Sequence, residues 1–439
     1  MFYICNYVGS NQNNPANVTI WKLMMKRFLQ SKHQAISFLL LIIFCFTVPL
    51  KNNYNSMSII LLSIFSLISF IIYKNFNKKL FYKLSPLIFF FSFGLISIFY
   101  SENFDASLKI IKRLLPFLLF PFVFSILKLD FKKYYQLLKI YSFWILLLCL
   151  YSHSQVLIKL YNNNDILYNI FNSYYSYLSL SEDTIGLHST YYAYYVIIAI
   201  VFITKFLLEE KYLAIKALYI LILAYFTFFV FHLSARLPIA TLFLFYNLAI
   251  VYYFFKQRKI ALGITILLLF YIVTSLVIYN VRITRYRFQH LIGFTYSDGT
   301  QHDDGIDKLL QWKASIAANN NIVFGNGIGD ANQDIVDSYL GYNLKKNAER
   351  EYNAHNQFIQ TYVGMGIIGL CLLLFIFIYY FKLFYRKKDV MPAILILLTF
   401  ILYQTESYLE RHNGIVMFAF LICLFTLKAF SNREELQHK

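Results

Sequence analysis

The stretch "AHNQFIQTYVGMGIIGLCLLLFIFIYYFKLFYRKK", residues Ala354 to Lys388, holds the pattern that decides the fold. A polar His-Asn pair leads into an apolar run punctuated by glycines, and the run closes on Lys382, Arg386, Lys387 and Lys388. Its apolar part, 357–383, is long enough to cross a hydrocarbon core as a helix, which takes roughly 17 to 25 residues. Polar head, apolar body and basic foot together describe one membrane crossing.

Outward from this stretch the same unit recurs. Apolar runs near 34–50, 57–73, 85–100, 109–127, 137–160, 188–208, 213–231, 236–255, 259–280, 391–405 and 413–430 bring the expected number of spans to about twelve. Composition agrees: of 439 residues, 59% are hydrophobic and only 14% charged, too little polar surface for water to cover the fold. The chain therefore reads as an all-α polytopic membrane protein. Its expected plan is a cytoplasmic tail over 1–33, nine spans over 34–280, a long outer loop over 281–356, three spans over 357–430 and a cytoplasmic tail over 431–439.

Basic residues set the orientation. With a cytoplasmic N-terminus, one side collects Lys22, Lys26, Arg27 and Lys32, then Lys74, Lys78, Lys79 and Lys83, then Lys128, Lys132 and Lys133, then Lys256, Arg258 and Lys259. The opposite short loops hold few, which is the positive-inside pattern. The net charge of +18 is thus a topology signal and a contact with membrane lipids. It is spread over many short loops with no basic domain, which excludes nucleic acid as a partner. Residues 1–33 lack the short apolar core of a cleavable signal peptide. Cys5, Cys45, Cys149, Cys371 and Cys423 show no CxxC spacing, so neither structural disulfides nor a metal cluster is expected. No repeat of 20 to 50 residues is visible.

The single long loop falls on the outer side, and polar residues gather at the outer helix ends. His355 and Asn356 stand where the tenth helix begins, with Gly364, Gly366 and Gly369 after them. Glycines there allow close approach of neighbouring backbone or of a bound chain. An interfacial imidazole such as His355 either caps its helix or exchanges a proton near neutral pH. In "FHLSARLPIA", Arg236 fills a very short turn, and it either snorkels or holds an anion with its planar fork.

Lys109, Lys112 and Arg113 share one helical face at the outer end of the fourth span, against the charge rule. An anionic ligand or a misplaced helix boundary would each account for them. His188, in "GLHSTYYAYY", begins the sixth span among aromatics that read as an interfacial belt. "GNGIGD", Gly325 to Asp330, lacks the Lys-Ser/Thr of a phosphate loop and reads as a turn after an amphipathic stretch, Lys308–Ala318, with Leu309, Trp312 and Ile316 at helical spacing. Glu406, Glu410 and Arg411 in "TESYLERHNG" read as a helix-end ion network.

The order of these motifs resembles the O-antigen ligase family, whose core signature is shared with O-antigen polymerases and protein O-oligosaccharyltransferases. The matching residues are Gly325, Gly327 and Gly329, then His355, Asn356, Gln360, Gly366 and Gly369, with Ser234 to Arg236 as the short S-x-R segment. Lys112, Arg113, Pro116 and Pro121, the His188 segment and "ESYLERHNG" are similar to variants found in Bacteroidota-type bacteria. The likeness is strongest over 185–430. It departs from the family at Lys308, four residues before Trp312, where an arginine is usual; Arg282, Arg285, Arg287 or Arg350 are the alternatives for that charge.

That resemblance implies a GT-C-like membrane glycosyltransferase facing the periplasm from the bacterial inner membrane. It implies a glycan donor carried on undecaprenyl diphosphate, an acceptor hydroxyl such as that of lipid A-core, inversion at the anomeric carbon, and no metal or other cofactor. The roles it implies are catalysis for His355 and Arg236, and contact with the lipid-linked donor for Lys112, Arg113, His188, Lys308, Asn356 and Gln360. Ligase, polymerase and protein-glycosylating readings share this donor side. A transporter or flippase of lipid-linked sugars is the alternative of another class, but transporters place ionisable groups near the bilayer midplane. Here they gather at helix ends.

Overall fold

A computed structural model describes residues 32–172, 174–280 and 304–436. Every regular element in it is helical. We label the helices α1 (Lys32–Thr47), α2 (Asn52–Tyr73), α3 (Lys78–Ser97), α4 (Phe104–Leu114), α5 (Pro116–Ile126), α6 (Phe131–Asn162), α7 (Leu178–Ile185), α8 (Ser189–Glu209) and α9 (Leu213–His232). The remainder are α10 (Arg236–Lys256), α11 (Ile260–Asn280), α12 (Asp304–Ala317), α13 (Ala331–Gly341), α14 (Lys345–Glu349), α15 (Gln357–Arg386), α16 (Val390–Leu402) and α17 (His412–Leu436). Among the described residues, eight helices are long and apolar enough to cross a membrane; α1, α16 and the Ile260–Leu276 part of α11 are shorter apolar segments. The chain is an all-helical polytopic membrane protein. The last helix runs on to Leu436, beyond the expected end at 430.

The fourth expected span, 109–127, is not one helix. It breaks at Leu115 because Pro116 has no N–H to continue the ladder and is better placed in a first turn. The break leaves α4 as a short amphipathic helix with Ile111 and Leu114 buried and Lys109, Lys112 and Arg113 exposed. The cations therefore stand on a short helix before α5, at the end of the bundle where Arg113 meets Glu410. α5, with 11 residues, is too short to cross a membrane by itself.

Two helices form the centre. α8 and α17 are buried along most of their length, whereas α9 and α10 turn most of their surface outward. A helix surrounded by protein is apolar on all sides, and here it must also place its polar tips. Tyr191, Tyr192, Tyr194 and Tyr195 of α8 are each at most 1% exposed. Their hydroxyls reach Ser407 O, Ser152 Oγ, Thr399 Oγ1 and Asn413 O at 3.4, 3.3, 3.1 and 3.0 Å. The aromatic run after His188 is thus no interfacial belt. It is a set of buried struts, since a buried tyrosine hydroxyl needs a partner.

Contacts sort the helix ends into two faces. At one, Asn77 N donates to Ser125 O and Lys428 pairs with Asp389. At the other, here the loop face, α12 to α14 pack as a small cap. Its core is Ala314, Ala318, Ala331, Ile335, Tyr339 and Val363. Leu309 and Ile316 are exposed, so the expected Leu309–Trp312–Ile316 face is not the one that docks. Alanines at 314 and 318 bring the α12 backbone closer to α13 and α15 than a leucine face would.

The glycine-rich turn locks this cap to α15. Gly366 has φ +60° and interrupts the helix, and a Cβ on it would lie 2.2 Å from Val323 O. Backbone freed by the kink is paired again: Asn326 N donates to Val363 O, Gly327 N to Gly364 O and Ile367 N to Ile322 O, at 2.8, 3.1 and 2.8 Å. A kink at membrane depth needs such replacement partners. The glycines of α15 thus admit the protein's own turn, and the close approach expected of a bound chain is taken at Gly366 by residues 322–325.

Candidate functional site

His355 sits on a strained backbone at the head of α15. Its φ is +45°, in the left-handed region, and its N–H donates to Asn353 Oδ1 at 2.9 Å. The next residues hold that geometry. Asn356 Oδ1 caps α15 by accepting from Phe358 N and Ile359 N at 2.9 and 3.2 Å. Gln360 reaches back, its Oε1 accepting from Ala354 N at 3.0 Å. Asn356 and Gln360, expected at the donor, fasten the segment that presents His355.

Glu406 meets His355 across the bundle end. Nδ1 of His355 lies 3.2 Å from Glu406 Oε2, with the carboxylate side chain 11% exposed and the imidazole 31%. Burial pushes the Glu406 carboxyl up, but the His355 hydrogen bond and the charges of His355, His188 and Arg411 outweigh it and hold it below the usual value. The turn carrying Glu406 is tied down on several sides. Gln357 N donates to Tyr403 O at 2.8 Å, Leu409 N to Gln357 Oε1 at 2.6 Å, and Tyr191 props Ser407 from below. Such a carboxylate orients an imidazole and fixes which nitrogen carries the proton.

Cations approach the same turn from three elements. Lys308 of α12 donates to Thr405 O at 3.4 Å. Arg113 of α4 donates to Glu410 O at 2.9 Å. Arg411 lies over the Tyr191 ring at 5.6 Å and is among the charges that act most on Glu406 and His188. Lys112 is exposed beside Arg113. Glu410, one residue before Arg411, borders a small cavity of about 30 Å³ with Gln357 and Gln360. Burial pushes its carboxyl up to about 7, with Arg113 pulling the other way.

His188 caps α8, its Nδ1 accepting from Thr190 N at 3.4 Å while Nε2 faces Tyr177 OH at 3.2 Å. Burial lowers its pKa; Glu406 opposes that and Arg411 adds to it. It belongs to the same electrostatic neighbourhood as His355. Arg236 opens α10, half-buried after the Ser234 turn with φ +52°, at the loop face. It is not among the groups acting most on His188 or Glu406. Arg350, one alternative for the loop cation, is spent on Tyr352, donating to its hydroxyl at 3.0 Å. Arg282, Arg285 and Arg287 lie outside the described residues.

Of the residues singled out from the sequence, the fold brings His355, His188, Arg113 and Lys308 around one turn. Sequence reading missed Glu406 and Arg411, which it took for a helix-end ion network. Their only signal was "ESYLERHNG", since 51 residues separate Glu406 from His355. It also passed over His153, which joins Tyr225 OH at 2.8 Å and His232 at 3.0 Å in a second histidine cluster.

Fold and site define a class: a multi-pass helical membrane protein with a histidine–carboxylate pair and several cations at one bundle end. Residues 220–374 match the family model described as O-antigen ligase. The matched segment includes Arg236, Lys308, the glycine turn and His355; Glu406 and Arg411 follow it. No curated protein matches the chain. The match to that family model supports a membrane glycosyl-transfer enzyme of the ligase and polymerase type, working in general between a lipid-linked glycan donor and an acceptor.

Proposed function

We propose that the protein transfers a glycan from undecaprenyl diphosphate to an acceptor hydroxyl on the periplasmic face of a bacterial inner membrane, with lipid A-core as the acceptor. The observation that carries this reading is the His355–Glu406 pair, ringed by Arg113, Lys308 and Arg411 at the head of α15. With Nδ1 donating to Glu406, Nε2 of His355 is the acceptor for a proton. The acceptor oxygen attacks the anomeric carbon as its proton passes to Nε2. The bond from that carbon to the diphosphate oxygen breaks with inversion, and polyprenyl diphosphate leaves with the electron pair.

Negative charge grows on the leaving diphosphate, and fixed cations stabilise it best where water is excluded. Arg236, Lys112 and Arg113 are the side chains we assign to it, with Lys308 as a point charge in place of an arginine fork. The His355 hydrogen bond and the charge of Arg411 hold Glu406 ionised, so that it keeps His355 in register. No step in this scheme uses a metal or nucleotide.

The test is a strain lacking the protein, complemented with wild type or His355→Ala, in which lipopolysaccharide and the undecaprenyl-linked pool are both profiled. Loss of all O-antigen from lipopolysaccharide, with long chains held on undecaprenyl diphosphate, supports ligation. Survival of single repeats on lipid A-core with loss of the ladder makes the acceptor a growing glycan and the protein a polymerase. Glycan missing only from protein makes it a protein O-oligosaccharyltransferase. Donor trapped on the cytoplasmic face would overturn transfer in favour of transport.

A further inference from the structure

A separate groove of about 980 Å³ opens between the α3–α4 turn and the cap. Its size is that of a ligand cleft, roughly 300 to 1,000 Å³. Tyr100, Asn103 and Phe104 line one wall; Asn320, Asn326 and Gln333 belong to the other.

Both walls are braced before any ligand arrives. Asp330 accepts from Ser101 Oγ, Glu102 N and Asn103 N at 2.9, 2.7 and 2.7 Å, and Tyr100 OH donates to Phe324 O at 2.8 Å. A side chain on Gly327 or Gly329 would meet Ser101 or Ser107 within 2.4 Å, so the turn lies flush against α4. The frame does not have to be ordered at binding, which lowers the cost of association.

The lining says what would fit. It is mainly amide, carboxylate and aromatic, and no lysine or arginine takes part. Three of its five carboxylates are hydrogen-bonded by protein, Asp330 as above, Asp334 by Asn326 Nδ2 at 2.6 Å and Asp337 by Gln333 Nε2 at 2.9 Å, and Glu102 and Asp105 add two more negative charges to the lining. Among the described residues no three His, Cys, Asp or Glu side chains come together as metal ligands. Phe104 remains 57% exposed and offers an apolar ring at the rim. Amides and carboxylates beside an aromatic face suit a carbohydrate without acidic groups, whose hydroxyls or amines meet the polar side chains and whose C–H face covers the ring.

We propose that this groove binds the saccharide portion of a substrate and prefers uncharged or amino-bearing sugars to acidic ones. The proposal rests on the glycosyl-transfer reading and names where the glycan lies. Helix α4 links the two places. Asp105 in its first turn borders the groove, and Arg113 in its last turn meets the Glu406–Arg411 segment, about 12 Å further along the axis. A glycan whose diphosphate rests by Arg113 can follow α4 into the groove.

The test titrates the full-length protein in nanodiscs with three oligosaccharides of equal length: neutral, amino-bearing and uronic acid-containing. Binding is read by saturation-transfer NMR and calorimetry. The neutral and amino-bearing probes bind, and Phe104→Ala weakens both about tenfold. Gln333→Lys raises binding of the acidic probe, a gain that misfolding cannot produce. Equal binding of all three probes, or binding that neither substitution changes, overturns the groove. His355→Ala separates the two readings: binding kept while transfer is lost supports both. If wild type transfers no glycan yet binds through Phe104, the groove stands and the transfer reading falls. If transfer depends on His355 while the groove variants bind as wild type, only the groove falls.

Discussion

Two histidine clusters lie in this bundle, and they are built to opposite ends. His153 and His232 use both ring nitrogens on protein: Tyr225 OH, one another, and Ile170 O at 2.9 Å. Rings of Phe228 and Phe229 enclose them. Every polar atom of that pair is committed, so it can fasten α6 to α9 but has no nitrogen left for a substrate. His355 commits Nδ1 to Glu406, keeps 31% of its side chain exposed and stands on a strained backbone. Strain and partial exposure mark a group held ready for chemistry, whereas full satisfaction marks a structural one.

The strongest way to break this contrast is to remove each histidine in turn. His355→Ala should cut glycan transfer by about 10²- to 10⁴-fold, the usual worth of a general base, with thermal unfolding in detergent little changed. A variant that keeps near-wild-type transfer would move catalysis elsewhere, with Arg236 the first place to look. Glu406→Gln comes next. It exchanges a charge-assisted bond of about 1.5–3 kcal/mol for a neutral one of about 0.5–1.5 kcal/mol, and the difference of about 1–1.5 kcal/mol corresponds to roughly a five- to twelvefold loss in rate if the bond acts in the transition state. Equal rates in wild type and Glu406→Gln would show that the carboxylate is there for packing alone.

His232→Ala should behave the other way. Leaving His153 and Ile170 O unpaired costs about 1–3 kcal/mol of stability, read as a lower unfolding temperature, while transfer per folded molecule is unchanged. A selective loss of transfer would join the second cluster to the site, for which its closeness to Ser234 and Arg236 gives a route.

The smallest effects are in pH. Glu406 has a lowered pKa, so its contribution to stability is present above about 4.5 and is lost as pH falls through the lowered value. Glu410, four residues on, has the opposite sign. Raised from 4.5 to about 7, it holds its proton more tightly folded than unfolded, and its contribution is present below about 4.5 and declines as pH rises through about 7. Unfolding temperature followed between pH 4 and 8 should show the second slope in wild type and lose it in Glu410→Gln. A slope that persists in the variant would assign the titration to another group.

The sequence by itself determined the class of fold and the polar end of the bundle. Length and apolarity of a span are local properties, and so are the basic loops that follow the spans; both can be read without a partner. The His355 head and the Arg236 turn were legible for the same reason, since each departs from its own flanks. What only the tertiary structure decided is what those residues meet. Nothing local distinguishes the buried tyrosines of α8 from an interfacial belt, because the difference is whether protein or lipid surrounds the helix. Pro116 could be read as a break, but only packing shows that α4 carries its cations to the end of the bundle. The pairing of His355 with Glu406 is a contact across the bundle end, set by where α15 and α17 begin. A sequence ranks each residue against its neighbours in the chain, while chemistry depends on neighbours in space.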